Sequence, residues 1–192
     1  MLNILLFGPP GAGKGTQADI LKEKYSMLHL STGEAIRTMI AKGTELGLRA
    51  QSEMAGGKLA SDELVCSIIS EYIEQNSGAT GVLFDGFPRT THQAVALDNM
   101  LKAEGKSVTA MIAMEIPDNV VIDRITGRAA VSGRADDASI DTIKTRIETY
   151  KAQTAVVADH YRAQDKYFGL DGTGSIEEVN AKICEIIDQL LK

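Results

Sequence analysis

Residues 8 to 16 read GPPGAGKGT and follow directly on the apolar run Leu2 to Phe7. A strand that gives way to four glycines, two prolines and one lysine within nine positions continues best as a tight turn into a helix, with successive backbone N–H groups aimed at one point. Glycine admits positive φ and removes the Cβ that would hold an anion away. Lys14 adds a mobile charge able to reach the outer phosphates of a polyphosphate. The pattern GxxxxGK[ST] is met at Gly8, Gly13 and Lys14, but Gly15 stands where a hydroxyl residue is expected, and the hydroxyl follows one place later at Thr16. A purely structural turn needs only one or two glycines, so the stretch reads as a phosphate cradle.

Short apolar runs recur with helical stretches between them, at Asn3 to Phe7, Met27 to Leu30, Val82 to Asp85, Val108 to Glu115 and Tyr167 to Leu170. This alternation predicts an α/β fold of the P-loop NTPase type, a five-stranded parallel sheet with helices on both faces. Ser31 with Glu34 and Ser175 with Glu178 have capping-box spacing, and Asp118 after Pro117 opens another helix. Two stretches leave the alternation. Residues 31 to 60 hold five glycines and no strand candidate, which predicts a small helical insert, and 129 to 138, AAVSGRADDA, reads as a polar loop between helical stretches Asp118 to Arg128 and Ser139 to Ala163. The whole, 1 to 192, is of a size for one domain.

A net charge of −6 argues against a general nucleic-acid or anionic-membrane binder, so any positive patch must be local. The opening MLNILLF offers neither a basic leader nor an apolar span, and the cytoplasm is the expected compartment. Two cysteines, Cys66 and Cys184, and three scattered histidines argue against a disulfide framework or a zinc cluster. The histidines read as ordinary strand, loop and helix residues.

VLFDGFPRTTHQ, residues 82 to 93, ends a strand on Asp85 and turns through Gly86 and Pro88 to Arg89. A carboxylate at the end of a strand beside the cradle is placed to hold magnesium or its waters. Of eight arginines, Arg124 and Arg128 share a helix face one turn apart, Arg134 lies in the polar loop and Arg146 follows on the next helix. Several forked cations around a short loop suit several phosphates.

GPPGAGKGT at 8 to 16, LSTGEAIR at 30 to 37, DGFPRTTHQ at 85 to 93, DRITGR at 123 to 128 and SGRADD at 132 to 137 resemble, in order and spacing, the motifs of the adenylate kinase family in its short-lid form. The resemblance implies a core P-loop domain with a nucleoside-monophosphate insert at 31 to 60 and a short lid at 129 to 138. It implies ATP with its phosphates on Gly11, Ala12, Gly13, Lys14, Gly15 and Thr16 and its adenine near Arg124, Arg128 and Gly174. AMP would be met by Thr32, Arg37, Lys58, Leu59, Ala60, Gly86, Phe87, Pro88, Arg89 and Gln93, with Arg134 and Arg146 on the phosphates. The catalytic set so implied is Lys14, Arg89, Arg128, Arg134 and Arg146, with Asp85 holding Mg2+ through water and no zinc. A cis bond before Pro88 and a monomer are further expectations of the resemblance, and ATP, AMP and ADP are its partners.

The UMP/CMP kinase branch shares this fold and these arginines. Thr32 stands where that branch tends to have alanine and Gln93 where it tends to have asparagine, and an amide at Gln93 can pair with the adenine edge; both favour AMP. An ATP-dependent switch is the reading from another class, and the acceptor-side motifs have no purpose in it.

Overall fold

Leu5 and Phe7 of the first strand pack into one hydrophobic cluster while Ile4 and Leu6, one residue out of phase, pack into another. That period-two split makes the strand a two-sided partition between cores. The computed structural model describes residues 2–76, 78–132, 137 and 139–192. Its five strands are β1 (Leu2–Phe7), β2 (Leu28–Ser31), β3 (Gly81–Asp85), β4 (Ala110–Glu115) and β5 (Tyr167–Asp171). They form one parallel sheet in the order β2-β3-β1-β4-β5, as the alternation of apolar runs predicts.

Helices α1 (Lys14–Lys24), α2 (Thr32–Ala41), α3 (Glu45–Glu53), α4 (Asp62–Gln75), α5 (Thr91–Ala103), α6 (Asp118–Ser132), α7 (Ile140–Thr149), α8 (Val157–Arg162) and α9 (Ile176–Leu190) complete the described chain. On one face Ile36, Leu64, Ile69, Leu97 and Tyr161, from α2, α4, α5 and α8, meet Leu5, Phe84 and Met111. On the other, Ala18 and Leu21 of α1 and Ile183 and Ile187 of α9 meet Ile4, Leu83 and Ile112. Each fully buried Leu, Ile or Phe contributes roughly 1.5–3 kcal/mol relative to exposure. A third, smaller cluster of Val121, Ile125, Ile143 and Ile147 fastens α6 to α7.

The register sets the site. β1 pairs Leu6 with Asp85 of β3 and Phe7 with Ala113 of β4, and Ser31 of β2 also lies opposite Asp85. The turn after β1, the end of β3 and the end of β2 therefore share one corner of the sheet's carboxyl edge. Because α1 carries the chain past β3 to β2 while β4 and β5 extend the other way, this corner is also where the winding reverses. Gly8 leaves β1 at φ 143°, and a Cβ on it would stand 2.7 Å from the Met114 carbonyl oxygen. Gly13, at φ 89°, is the residue from which α1 starts.

The insert at 31–60 is helical, built of α2, α3 and a 3-10 turn at Ala55–Gly57. Ser31 accepts from the Glu34 N–H, but only Ser175 and Glu178 complete both halves of a capping box. Residues 129–132 differ from the expected loop: α6 continues through them to Ser132, since no residue there breaks a helix before the glycine at 133. The rest of the 129–138 segment, apart from Asp137, lies outside the described residues. The stretch expected as one helix from Ser139 to Ala163 is two, α7 and α8, with a wide turn at Tyr150–Thr154, where the Ala155 N–H reaches five residues back to the Tyr150 carbonyl. The Tyr150 ring there packs on Phe7 at 5.9 Å between centroids. The Phe87–Pro88 peptide bond is cis.

Gly8→Ala forces a side chain against backbone at a positive φ, and the expected loss is about 1–3 kcal/mol of unfolding free energy, read from the urea midpoint at unchanged m-value.

Candidate active site

Helix α1 starts without an acidic residue in its first turn and without a side-chain cap, so its leading N–H groups face the turn of residues 8–13. Lys14 Nζ folds back over that turn and donates to the carbonyls of Gly8 at 2.9 Å and Pro9 at 3.0 Å. Burial is the chief reason that the Lys14 pKa is pushed down to about 8; Asp85 opposes the shift, and the nearby charges of Arg89, Arg146 and Arg128 reinforce it. Three guanidinium charges thus act on Lys14 at this corner.

Two recesses flank it. The first, a cleft of about 310 Å³, is lined by Gly11, Ala12, Gly13, Thr16 and Arg124 on one side and Gly172, Gly174, Ser175 and Ile176 on the other. Arg124 Nη2 donates to the Thr173 carbonyl at 3.3 Å, and Gln17, buried beneath, donates from Nε2 to the Ile176 carbonyl at 3.0 Å. These bonds tie the start of α9 to α6 and α1.

The second recess is apolar at Ile36, Met54, Leu59, Ala60 and Val65 and polar at Thr32, Arg89 and Gln93. Thr32 is buried at the start of α2, and its hydroxyl donates to the Gly86 carbonyl at 3.0 Å, which Arg89 Nε also approaches at 2.7 Å. A Cβ on Gly33, in the wall of this recess, would come within 3.1 Å of the Arg37 guanidinium. Phe87 is buried in the larger core, and neither it nor Pro88, Lys58 or Arg37 lines the recess itself.

Asp85 adjoins the cradle, its Oδ2 lying 3.6 Å from where a Cβ on Gly15 would stand, and the residue after it, Gly86, lines the second recess. Burial pushes the Asp85 carboxyl upward, but His29, Lys14 and Arg89 together outweigh that and hold it below the usual aspartate range. His29 Nε2 stands 3.8 Å from Asp85 Oδ2 and is buried without a hydrogen-bond partner. Among the described residues no three His, Cys, Asp or Glu side chains gather as a metal cage. One ionised carboxylate beside a phosphate cradle is instead the hard-oxygen donor set that magnesium takes when substrate phosphates and water complete its shell, so Asp85 fits that ion.

Across the corner, Asp137 has a side chain with no solvent exposure and receives a forked pair from Arg128, Nε at 2.8 Å and Nη2 at 2.9 Å. Arg146 Nη1 donates to the same carboxylate at 2.6 Å. Burial raises the Asp137 pKa and the two guanidinium groups more than reverse it, leaving it lowered. One carboxylate from the end of the 129–138 segment thereby holds together an arginine of α6 and an arginine of α7.

A family model described as adenylate kinase matches residues 6–166. The chain belongs to the adenylate kinase family. Among its relatives, a protein named adenylate kinase from Flavobacterium johnsoniae is 43% identical over 190 residues, 99% of this chain and 100% of its own. One of the same name from Bacteroides thetaiotaomicron is 43% identical over 190 residues with the same coverage. Another, from Phenylobacterium zucineum, is 44% identical over 182 residues, 95% of each chain.

Of the residues that the family resemblance singles out, Gly11, Ala12, Gly13, Thr16, Arg124 and Gly174 meet in the first recess and Thr32, Leu59, Ala60, Gly86, Arg89 and Gln93 in the second. Asp85, Arg128 and Arg146 lie within electrostatic reach of Lys14. Arg134 lies outside the described residues. Three residues have no role legible in the sequence: Asp137, His29 and Asp62, whose carboxylate accepts from Gln93. The doubled acid of SGRADD is the visible signal for Asp137; His29 and Asp62 carry none that is local.

Asp137→Asn leaves two guanidinium groups without their carboxylate, and because both are partly exposed the expected cost is about 1–3 kcal/mol at pH 7. The folded pKa is lowered, so this stabilisation is present above the ordinary aspartate value near ~4 and is lost as pH falls through the folded value. Urea unfolding should therefore separate variant and wild type at pH 7 and bring them together in strong acid.

Proposed function

We propose that the chain catalyses reversible transfer of the γ-phosphoryl group of Mg-ATP to AMP, giving two ADP. The observation that carries this reading is the gathering of Arg89, Arg128 and Arg146 within electrostatic reach of Lys14, in a molecule with one recess at the cradle and another lined by Arg89. A site for one nucleotide needs one recess. Two, joined by a cluster of cations, suit a donor and an acceptor whose phosphates meet in the middle.

ATP is assigned to the cleft at the cradle, with its phosphates on Gly11 to Thr16 and its base toward Arg124, Arg128 and Gly174. AMP is assigned to the recess of Thr32, Leu59, Ala60, Gly86 and Gln93, with Arg37, Lys58, Phe87 and Pro88 around it. Residues 31–60 then form the acceptor insert and 129–138 the short lid, with Arg134 joining Arg146 on the transferring phosphates. The chain is read as a cytoplasmic monomer; among the described residues no helix is long and apolar enough to cross a membrane.

An oxygen of the AMP phosphate attacks the γ-phosphorus, and the bond from that phosphorus to the β–γ bridging oxygen breaks, so ADP departs as one product and ADP forms as the other. The attacking oxygen is already anionic, and no general base is required. Asp85 would hold magnesium through water, and the ion would supply neutralising charge to the substrate phosphates. Lys14 exchanges its two carbonyl partners for phosphate oxygens, and Arg89, Arg128 and Arg146 oppose the charge that spreads over the equatorial oxygens. Closing the site keeps water from taking the phosphoryl group.

The test is ADP and phosphate release from Mg-ATP with AMP, CMP, UMP or GMP offered separately. ADP formation with AMP and no free phosphate is expected; preference for CMP or UMP overturns the choice of acceptor, and phosphate release without an acceptor overturns the kinase reading. A second expectation concerns pH. With the Lys14 pKa down at about 8, the free enzyme loses this charge as pH rises through that value, so kcat/KM for ATP should fall above pH 8, since that ratio reports ionisations of the free enzyme. A profile flat to about pH 9.5 sinks the role given to Lys14.

A further inference from the structure

Gln93 is 1% exposed, yet it lines the recess assigned to AMP, and its amide is engaged from two sides. Its Oε1 accepts from the backbone N–H of Arg89 at 2.7 Å, and its Nε2 donates to Asp62 Oδ1 at 2.8 Å. The two partners differ in kind: a backbone N–H can only donate, and an ionised carboxylate can only accept. Turning the amide over would set its NH2 against the Arg89 N–H and its oxygen against the carboxylate, so the order of its atoms is fixed. Asp62 is itself held, receiving the Thr90 hydroxyl at 3.0 Å and standing 3.3 Å from His92 Nδ1, at the first residue of α4.

A primary amide has two lone pairs and two N–H groups; with one of each used, Gln93 keeps one acceptor and one donor in an order it cannot reverse. An amino group beside a bare ring nitrogen, as in a 6-aminopurine, matches that order. An oxo group beside a ring N–H, as in a 6-oxopurine, presents the reverse.

We infer that Asp62 is a positioning residue for acceptor specificity: by locking the Gln93 amide in one orientation it makes the site select a 6-aminopurine monophosphate over a 6-oxopurine monophosphate. The inference rests on the assignment of Gln93 to the base of the acceptor nucleotide. Cytosine offers the same order of groups as adenine, so this device sorts purines by their 6-substituent and leaves the choice of purine over pyrimidine to the size and apolar walls of the recess.

The probe is IMP, which differs from AMP in carrying oxo and ring N–H where AMP has amino and ring nitrogen. The ratio of kcat/KM for AMP to that for IMP is measured on the wild type, Asp62→Asn and Gln93→Leu, with unfolding midpoints alongside. The asparagine side chain of Asp62→Asn both donates and accepts, so the lock is released; Asp62→Ser repeats the test should the amide disturb the start of α4. The expected result is a wild type that prefers AMP, a ratio lowered by about tenfold in Asp62→Asn, the equivalent of about 1.4 kcal/mol, and a collapsed ratio in Gln93→Leu. If Asp62→Asn and Asp62→Ser lower both substrates alike and leave the ratio intact, Asp62 only supports the fold and the inference fails while the base assignment stands. If Gln93→Leu leaves the ratio intact, or the wild type uses IMP as readily as AMP, the base assignment itself fails and the inference with it.

Discussion

Repulsion between Lys14 and the guanidinium groups of Arg89, Arg128 and Arg146 is the constraint around which this corner is organised. Two unit charges about 4 Å apart in a medium of effective dielectric near 20 interact by about 4 kcal/mol, so bringing cations together without counter-charge would open the site. The chain supplies two carboxylates from different elements: Asp85 at the end of β3, whose charge opposes the lowering of the Lys14 pKa, and Asp137, which binds Arg128 and Arg146 directly. Each carboxylate is held ionised by the cations it balances. The protein can therefore be acidic overall, at −6, and still present a concentrated positive field to phosphates.

What the fold contributes is adjacency. β1, β2 and β3 end together because the parallel register sets Leu6 and Ser31 opposite Asp85. The cradle, the acid and the buried threonine that opens α2 reach one corner from positions 8–16, 85 and 32 of the chain. Lys14 is parked on the carbonyls of Gly8 and Pro9, and its burial there, reinforced by the arginine charges and not by the two carbonyls, weakens its hold on a proton.

Features legible in the sequence were those whose cause is local. The glycine turn, the five apolar runs, the capping box at Ser175 and the helical insert all follow from a few neighbouring residues, and each stands where the pattern puts it. Family motifs pointed to Thr32 and Gln93, whereas the placement of Arg89, Arg124, Arg128, Arg134 and Arg146 along the chain already singled out those arginines. What the sequence hid were bonds between distant segments: Asp62 to Gln93, His29 beside Asp85, and Asp137 between Arg128 and Arg146. Spacing along a chain says nothing of such pairs, since the sheet and helix packing create them. The end of α6 differs for another reason, that Ala129 to Ser132 can be helix or loop and nothing in them stops the helix before the glycine at 133.

The sheet divides the molecule so that the two recesses draw on different interiors. Ile36, Ala60 and Val65 of the recess at Thr32 and Gln93 belong to the core on one face, and Ala12 and Val179 of the cleft at the glycine turn to the core on the other. Among the described residues the two linings have no residue in common. In evolutionary terms the two halves are separable inheritances: substitutions that reshape one nucleotide's pocket are absorbed by repacking on its own side of the partition. One recess can thus change shape while the other keeps its own.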